Sequence, residues 1–96
     1  MKIKEIVTAT NGILLNGDEN FEVVGFSQDS RNIKAGMMYI PIIGERFDGH
    51  DFIDSAFENG ASAIITDRDV YKSDKIIIKV KDTLIALQDM ARFYLH

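Results

Sequence analysis

The chain has 96 residues, 46% of them apolar, and 11 Lys and Arg against 15 Asp and Glu, a formal net charge of −4. That supports one hydrophobic core but not two substrate domains with a cleft between them, and the acidic balance excludes a nucleic-acid binder working through a broad basic face. With no cysteine and only His50 and His96 as histidines, disulfides, thiolate metal sites and His clusters are excluded.

In chain order, Ile3, Ile6 and Val7 stand at helical spacing. Asn11-Gly12 supplies a stop, so the spacing predicts a short helix over residues 2–10. Residues 13–15 form a short apolar run closed by the turn signal Asn16-Gly17-Asp18. Residues 21–27 alternate as a strand. Residues 28–36 are polar and end in a Lys34-Ala35-Gly36 turn. Residues 37–43 are nearly all apolar, as in a strand covered on both faces. Pro41 lacks the amide donor a ladder needs and predicts a strand edge or an early end to pairing.

A loop over residues 44–48 precedes a helix expected over residues 51–59. Asp51 is its expected cap, Asp54 lies in its first turn, and Phe52, Ile53, Ala56 and Phe57 form its apolar stripe. Gly60 is the expected stop. Residues 63–66 (AIIT) and 76–80 (IIIKV) read as strands, joined by a charged connection. Asp82 caps a last helix, with Leu84, Leu87, Met90, Ala91 and Tyr94 on one face. The order predicts an α/β fold: a small mixed sheet with a right-handed βαβ unit from residue 37 to 65 and flanking helices.

In open α/β sheets, ligands sit beyond the carboxyl ends of the strands. Two loops leave such ends here. One carries Ser27, Asp29, Ser30 and Arg31, the other Gly44, Glu45, Arg46 and Phe47. If their strands are parallel neighbours, the loops converge. Arg31 and Arg46 then offer guanidinium forks for phosphate oxygens, Ser30 a hydroxyl, and Phe47 a stacking surface for a base. Together these would cradle a nucleoside diphosphate.

Each signal has a structural reading beside it. Asp-Ser-Arg is more often a turn in which Asp29 caps amides and Arg31 pairs with a carboxylate. Asp48-Gly49 is an ordinary tight-turn pair, and His50 reads as a structural hydrogen-bonding residue. Asp48, Asp51 and Asp54 suit helix N-terminal electrostatics better than a metal. The group Asp67, Arg68, Asp69, Lys72 and Asp74 reads as a solvated loop. There is no GxxxxGK[ST] phosphate loop, no GxGxxG fingerprint and no Ser-His-Asp or Cys-His set. No catalytic residue and no metal ligand is assigned.

These motifs carry a family resemblance. FSQDSRNIKAG, MMYIPIIGERFDGHDFI and AFENGASAII follow one another as in the N-terminal domain of the Mur ligases, the ATP-dependent amide ligases of peptidoglycan synthesis. VKDTLIALQDMARFYL resembles the family's segment leading to the ATP-binding domain. The similarity covers nearly the whole chain and departs from the pattern at Pro41. The GERFDGHDF wording most resembles the branch that joins D-alanyl-D-alanine to UDP-N-acetylmuramoyl-tripeptide, with the branch adding the third stem-peptide residue as the alternative.

The resemblance implies that residues 1–96 are one domain holding the UDP part of a UDP-N-acetylmuramoyl-peptide. Its contacts would come from Gln28, Ser30, Arg31, Gly44, Glu45, Arg46 and Phe47. It also implies that the ATP-binding and C-terminal domains lie elsewhere, as partners within one cytoplasmic enzyme. No cofactor is expected in this domain. ATP and Mg²⁺ would serve the full-length enzyme, forming an acyl phosphate that the incoming amine attacks. Neither a nucleic acid nor a membrane is an expected partner; no apolar run has signal-peptide or membrane-spanning length. An interaction domain that keeps the fold without the ligand is the remaining reading, as is a nucleotide-binding module of a non-peptidoglycan ligase.

Overall fold

The computed structural model describes residues 1–70, 72 and 74–94. His96 and the end of the family-like last segment, Leu95, lie outside them. Strands β1 (Ile13–Asn16), β2 (Phe26–Ser27), β3 (Met38–Tyr39), β4 (Ala63–Thr66) and β5 (Ile76–Lys79) form one five-stranded sheet in the order β1-β5-β4-β3-β2. Strands β2 to β5 run parallel, and β1 joins β5 antiparallel, so the sheet is mixed as expected. Helices α1 (Ile3–Thr10), α2 (Ile53–Glu58) and α3 (Thr83–Tyr94) flank it.

The strands are apolar on both faces, and their alternation sorts the core into two layers. Met38, Ile40, Ala63, Ile65, Ile76 and Ile78 pack with Ile3 and Ile6 of α1 and with Ala86 and Met90 of α3. Tyr39, Ile64 and Ile77, the residues between them, pack on the other side with Ile33, Ala61 and with Ile53 and Ala56 of α2. Continuous apolar strands therefore mean a sheet covered by helices on both sides.

Two strands are shorter than their apolar runs. Residues 21–24 spend backbone groups elsewhere: Ile3 N–H donates to Phe21 O (3.0 Å), Val23 N–H to Met1 O (2.8 Å) and Val24 N–H to Gly36 O (3.1 Å). Pairing with β3 starts where Gly25 O accepts from Met38 N–H (2.9 Å) and is confined to Phe26 and Ser27 as register partners. On β3, Ile40 N–H still reaches Ser27 O (2.9 Å), and Pro41, lacking an amide, follows. The early end to pairing expected from Pro41 is what occurs.

The helix termini follow local chemistry, with one correction. Asn11 takes the left-handed conformation (φ 55°) and closes α1. Asp82 Oδ1 accepts from Leu84 and Ile85 N–H at 2.8 and 3.1 Å, capping α3 as expected. Asp51, however, does not cap the second helix. The chain turns earlier, through a 3₁₀ turn at Gly49–Phe52 capped by Asp48, whose side chain accepts from His50 N–H, and α2 proper begins at Ile53. This rotation takes Phe52 out of the buried stripe and leaves it 43% exposed. Gly60 ends α2 at φ +113°, against Ala35, where a Cβ would lie 2.8 Å from its backbone N. On α3 the buried residues are Thr83, Ala86 and Met90; Leu84 faces out.

At one sheet edge, β1 carries a register shift between Leu14 and Asn16. There the Asn16 amide donates to Lys72 O (3.0 Å) and Lys75 O (2.8 Å). Among the described residues no helix is long and apolar enough to cross a membrane.

Candidate functional site

Because β2 and β3 are adjacent and parallel, the loops leaving their carboxyl ends meet. Between them and α2 lies a cleft of about 750 Å³, a size suited to a small organic ligand. One wall is the Asp-Ser-Arg turn. Ser27 Oγ accepts from Asp29 N–H (3.0 Å), and Asp29 Oδ1 accepts from Arg31 N–H (2.9 Å), starting the 3₁₀ turn Ser30–Asn32. Asp29 also takes the guanidinium fork, with Nε to Oδ1 at 3.0 Å and Nη2 to Oδ2 at 2.9 Å. That side-chain hydrogen bond holds the Asp29 carboxyl below its usual range and raises Arg31. The structural reading of the triplet is therefore present in full. Ser30 is buried within the lining, and its carbonyl accepts from the Asn59 amide at 2.9 Å.

The second wall is aromatic. Gly44 N–H donates to Phe47 O (2.8 Å), closing a turn that presents the Phe47 ring. Phe47 and Phe52 meet edge to face, centroids 6.4 Å apart at 72°. Ile42 completes the apolar side, and Ser55, Glu58 and Asn59 of the α2 segment add hydroxyl, carboxylate and amide groups.

Of the residues singled out from the sequence, Gln28, Ser30, Arg31 and Phe47 share this cleft. Gly44, Glu45 and Arg46 belong to the same turn as Phe47 but do not line it, and Arg46 is solvent-exposed. Sequence reasoning missed Phe52, Ser55 and Asn59. Ser55 and Asn59 stand four residues apart on one helical face, and that was the available signal for them, whereas Phe52 belongs to the preceding 3₁₀ turn.

Behind the aromatic wall lies a polar network. The His50 ring, its side chain 3% exposed, places Nδ1 at 2.8 Å from Asp48 Oδ1 and Nε2 at 2.8 Å from Thr66 Oγ1. Asp67 Oδ1 is 3.2 Å from Nε2. Arg68 donates its backbone N–H to Thr66 Oγ1 (3.1 Å) and pairs through its guanidinium with Asp48. The Arg68 bond, followed by the His50 backbone N–H, holds the Asp48 carboxyl well below the carboxylate range. His50 is thus the structural hydrogen-bonding residue expected.

The charged connection is the solvated loop expected at Arg68, Asp69, Lys72 and Asp74, which are exposed, while Asp67 is half-buried and the loop's first two residues also reach the network. Asp67 and Arg68 join this network, Lys72 pairs with Asp54 (3.2 Å) and Lys79 with Asp69 (2.7 Å). Beneath it the buried Tyr39 hydroxyl donates to Gly49 O at 2.7 Å. Gly49 admits no side chain, since a Cβ would lie 2.6 Å from Ile42 N and 2.9 Å from Pro41 Cα. Among the described residues no group of three or more His, Asp or Glu is arranged to hold a metal ion.

A two-layered α/β core thus carries a ligand-sized cleft at the carboxyl edge of its parallel strands. A family model described as "Mur ligase family, catalytic domain" matches residues 22–95. The UDP-N-acetylmuramoyl-tripeptide--D-alanyl-D-alanine ligase of Bacillus subtilis is 40% identical over 97 residues, covering 98% of this chain and 21% of that protein. The UDP-N-acetylmuramoyl-L-alanyl-D-glutamate--2,6-diaminopimelate ligase 2 of Clostridium acetobutylicum is 36% identical over 96 residues, 98% of this chain and 20% of that protein. A crystal structure of MurF from Acinetobacter baumannii superposes with a TM-score of 0.85 at 26% identity, covering 96% of this chain and 20% of that one. The chain belongs to the Mur ligase family. It spans about a fifth of the length of the curated relatives it matches.

Proposed function

We propose that these 96 residues are the domain of a longer peptidoglycan ligase that holds the UDP part of a UDP-N-acetylmuramoyl-peptide. The observation that carries this reading is the convergence of Gln28, Ser30, Arg31 and Phe47 on one cleft in a chain of this family. The Phe47–Phe52 pair offers a ring face or edge to a pyrimidine, and Ser30 and Asn59 border it with polar groups. Arg31 is neutralised by Asp29. The exposed Arg46, beside Phe47 in sequence, is the freer cation for the diphosphate, with Gly44 and Glu45 shaping its turn.

The contribution to catalysis is binding energy spent at a distance from the reacting carboxylate, orienting it for attack. ATP, Mg²⁺ and the residues that transfer the phosphoryl group belong to the rest of a cytoplasmic enzyme. For the reaction we favour addition of D-alanyl-D-alanine to the UDP-N-acetylmuramoyl-tripeptide, in keeping with the B. subtilis relative and the MurF superposition. Addition of the third stem-peptide residue is the second reading, favoured by the C. acetobutylicum relative.

Titration of the chain with UDP, followed by amide chemical shifts, tests the binding role. Shifts concentrated in residues 27–31, 44–47 and 52–59 are expected. Saturating shifts that spare all three segments, or no binding at millimolar UDP, would overturn it. Assay of the full-length parent with each acceptor and its matching amine distinguishes the two ligations.

A further inference from the structure

Phe47 forms part of the cleft wall yet is 58% exposed, so burial does little to fix its ring. Backbone bonds close the turn from within, Gly44 N–H to Phe47 O (2.8 Å) and Gly49 N–H to Ile42 O (2.9 Å), and the side chains that tie it to the sheet begin one residue later. Asp48 uses Oδ1 for the His50 amide (2.9 Å) and ring Nδ1 (2.8 Å), and Oδ2 for the Arg68 guanidinium. His50 Nε2 and Arg68 N–H then meet at a single atom, Thr66 Oγ1, which ends β4 and is fully buried. The circuit ties the aromatic turn to a rigid strand through side chains that do not line the cleft.

We infer that Arg68 and His50 are positioning residues for the ligand site: they hold Asp48, and through it Phe47, in the ligand-receiving position. This rests on the reading that the cleft takes the uridine diphosphate moiety. Arg68 is the side chain to remove. It is about half exposed, so its loss strands no buried cation, and the Asp48 carboxylate it leaves behind is itself partly solvated.

The test is a UDP titration of the unsubstituted chain, Arg68→Ala and Arg68→Lys, with cross-relaxation between the Phe47 and Phe52 rings recorded on each. Removing the ion pair should weaken UDP binding about three- to fivefold, the range expected of a partly exposed pair. It should also remove the Phe47–Phe52 cross-peaks while the Ile64 and Ile77 methyl shifts stay in place. Arg68→Lys, which keeps the charge but not the fork, should recover part of both. Unchanged affinity with intact cross-peaks in Arg68→Ala would overturn the inference. So would weakened binding accompanied by shifted core methyls, which marks general destabilisation. If the unsubstituted chain does not bind UDP, the proposed function falls and the cross-peaks alone decide: their loss in Arg68→Ala supports the positioning role, and their survival refutes it.

Discussion

Replacing Tyr39 with Phe removes one oxygen and tests how the aromatic turn is anchored from below. The ring is 1% exposed, between β3 and α2, and its hydroxyl donates to Gly49 O at 2.7 Å. Phe keeps the packing, so the loss is confined to that bond and to a carbonyl left without its donor. Leaving a buried acceptor unsatisfied costs about 1–3 kcal/mol, and we expect about 1.5–2 kcal/mol here. For a domain of this size each kcal/mol moves the midpoint by about 4–8 °C, so Tm should fall by roughly 6–16 °C. Thermal unfolding followed by circular dichroism measures it.

A spectroscopic control goes with it. Burial first, then the Asp29 and Asp48 charges, pushes the Tyr39 hydroxyl up to about 12 from 10.0. A raised folded value means stability that is complete below 10.0 and lost as pH rises through about 12. Tyr39→Phe should therefore lose the latest phase of the alkaline absorbance titration and show a shallower fall of stability over that window. A Tm within about 2 °C of the unsubstituted protein, well inside the shift expected per kcal/mol, would refute the assignment of this bond as an anchor.

Gly49→Ala should be more damaging, because the added Cβ meets backbone atoms, Ile42 N at 2.6 Å and Ile42 O at 2.9 Å, that cannot rotate away. A loss of about 1–3 kcal/mol in urea unfolding is expected, and a neutral result would contradict the close approach. Asp48→Asn should alter the acid limb. The folded carboxyl lies below the ordinary aspartate value of 3.8, so its contribution is present above that pH and lost as pH falls toward the folded value. The urea midpoint of the unsubstituted protein should drop more steeply below about pH 4 than that of Asp48→Asn, and parallel curves would count against the Arg68–Asp48 pair.

Much of this architecture is legible in local residues. The runs AIIT and IIIK, the stop at Asn11, the cap at Asp82 and the break at Pro41 each act within a few residues, and each behaves as its chemistry dictates. The misreadings came from bonds that span the chain. Residues 21–24 alternate like a strand, but the segment leading into α1 and Gly36 claim their backbone groups. Asp51 has the composition of a cap, yet Asp48, three residues earlier, takes that role.

Arg68, Asp69, Lys72 and Asp74 are exposed as their composition suggests, but the pairing of Arg68 with Asp48, 20 residues away in sequence, was not legible. At the cleft, the loops were legible through their polar residues. Phe52 was not, because its apolar character argued for the core, and only the 3₁₀ turn before α2 directs it outward.

The two sheet edges have a consequence for how this molecule meets other chains. An exposed edge invites a further strand by offering a row of unused amides and carbonyls. Here β2 contributes only Phe26 and Ser27 to the ladder, and the far edge is kinked between Leu14 and Asn16, whose amide is committed to Lys72 and Lys75. Neither border presents a long flat template. Short borders limit how far another strand could pair along either edge of a core of apolar strands. At the cleft, the groups on offer are those of turns and side chains: the Asp-Ser-Arg turn, the Phe47 and Phe52 rings and the polar end of α2.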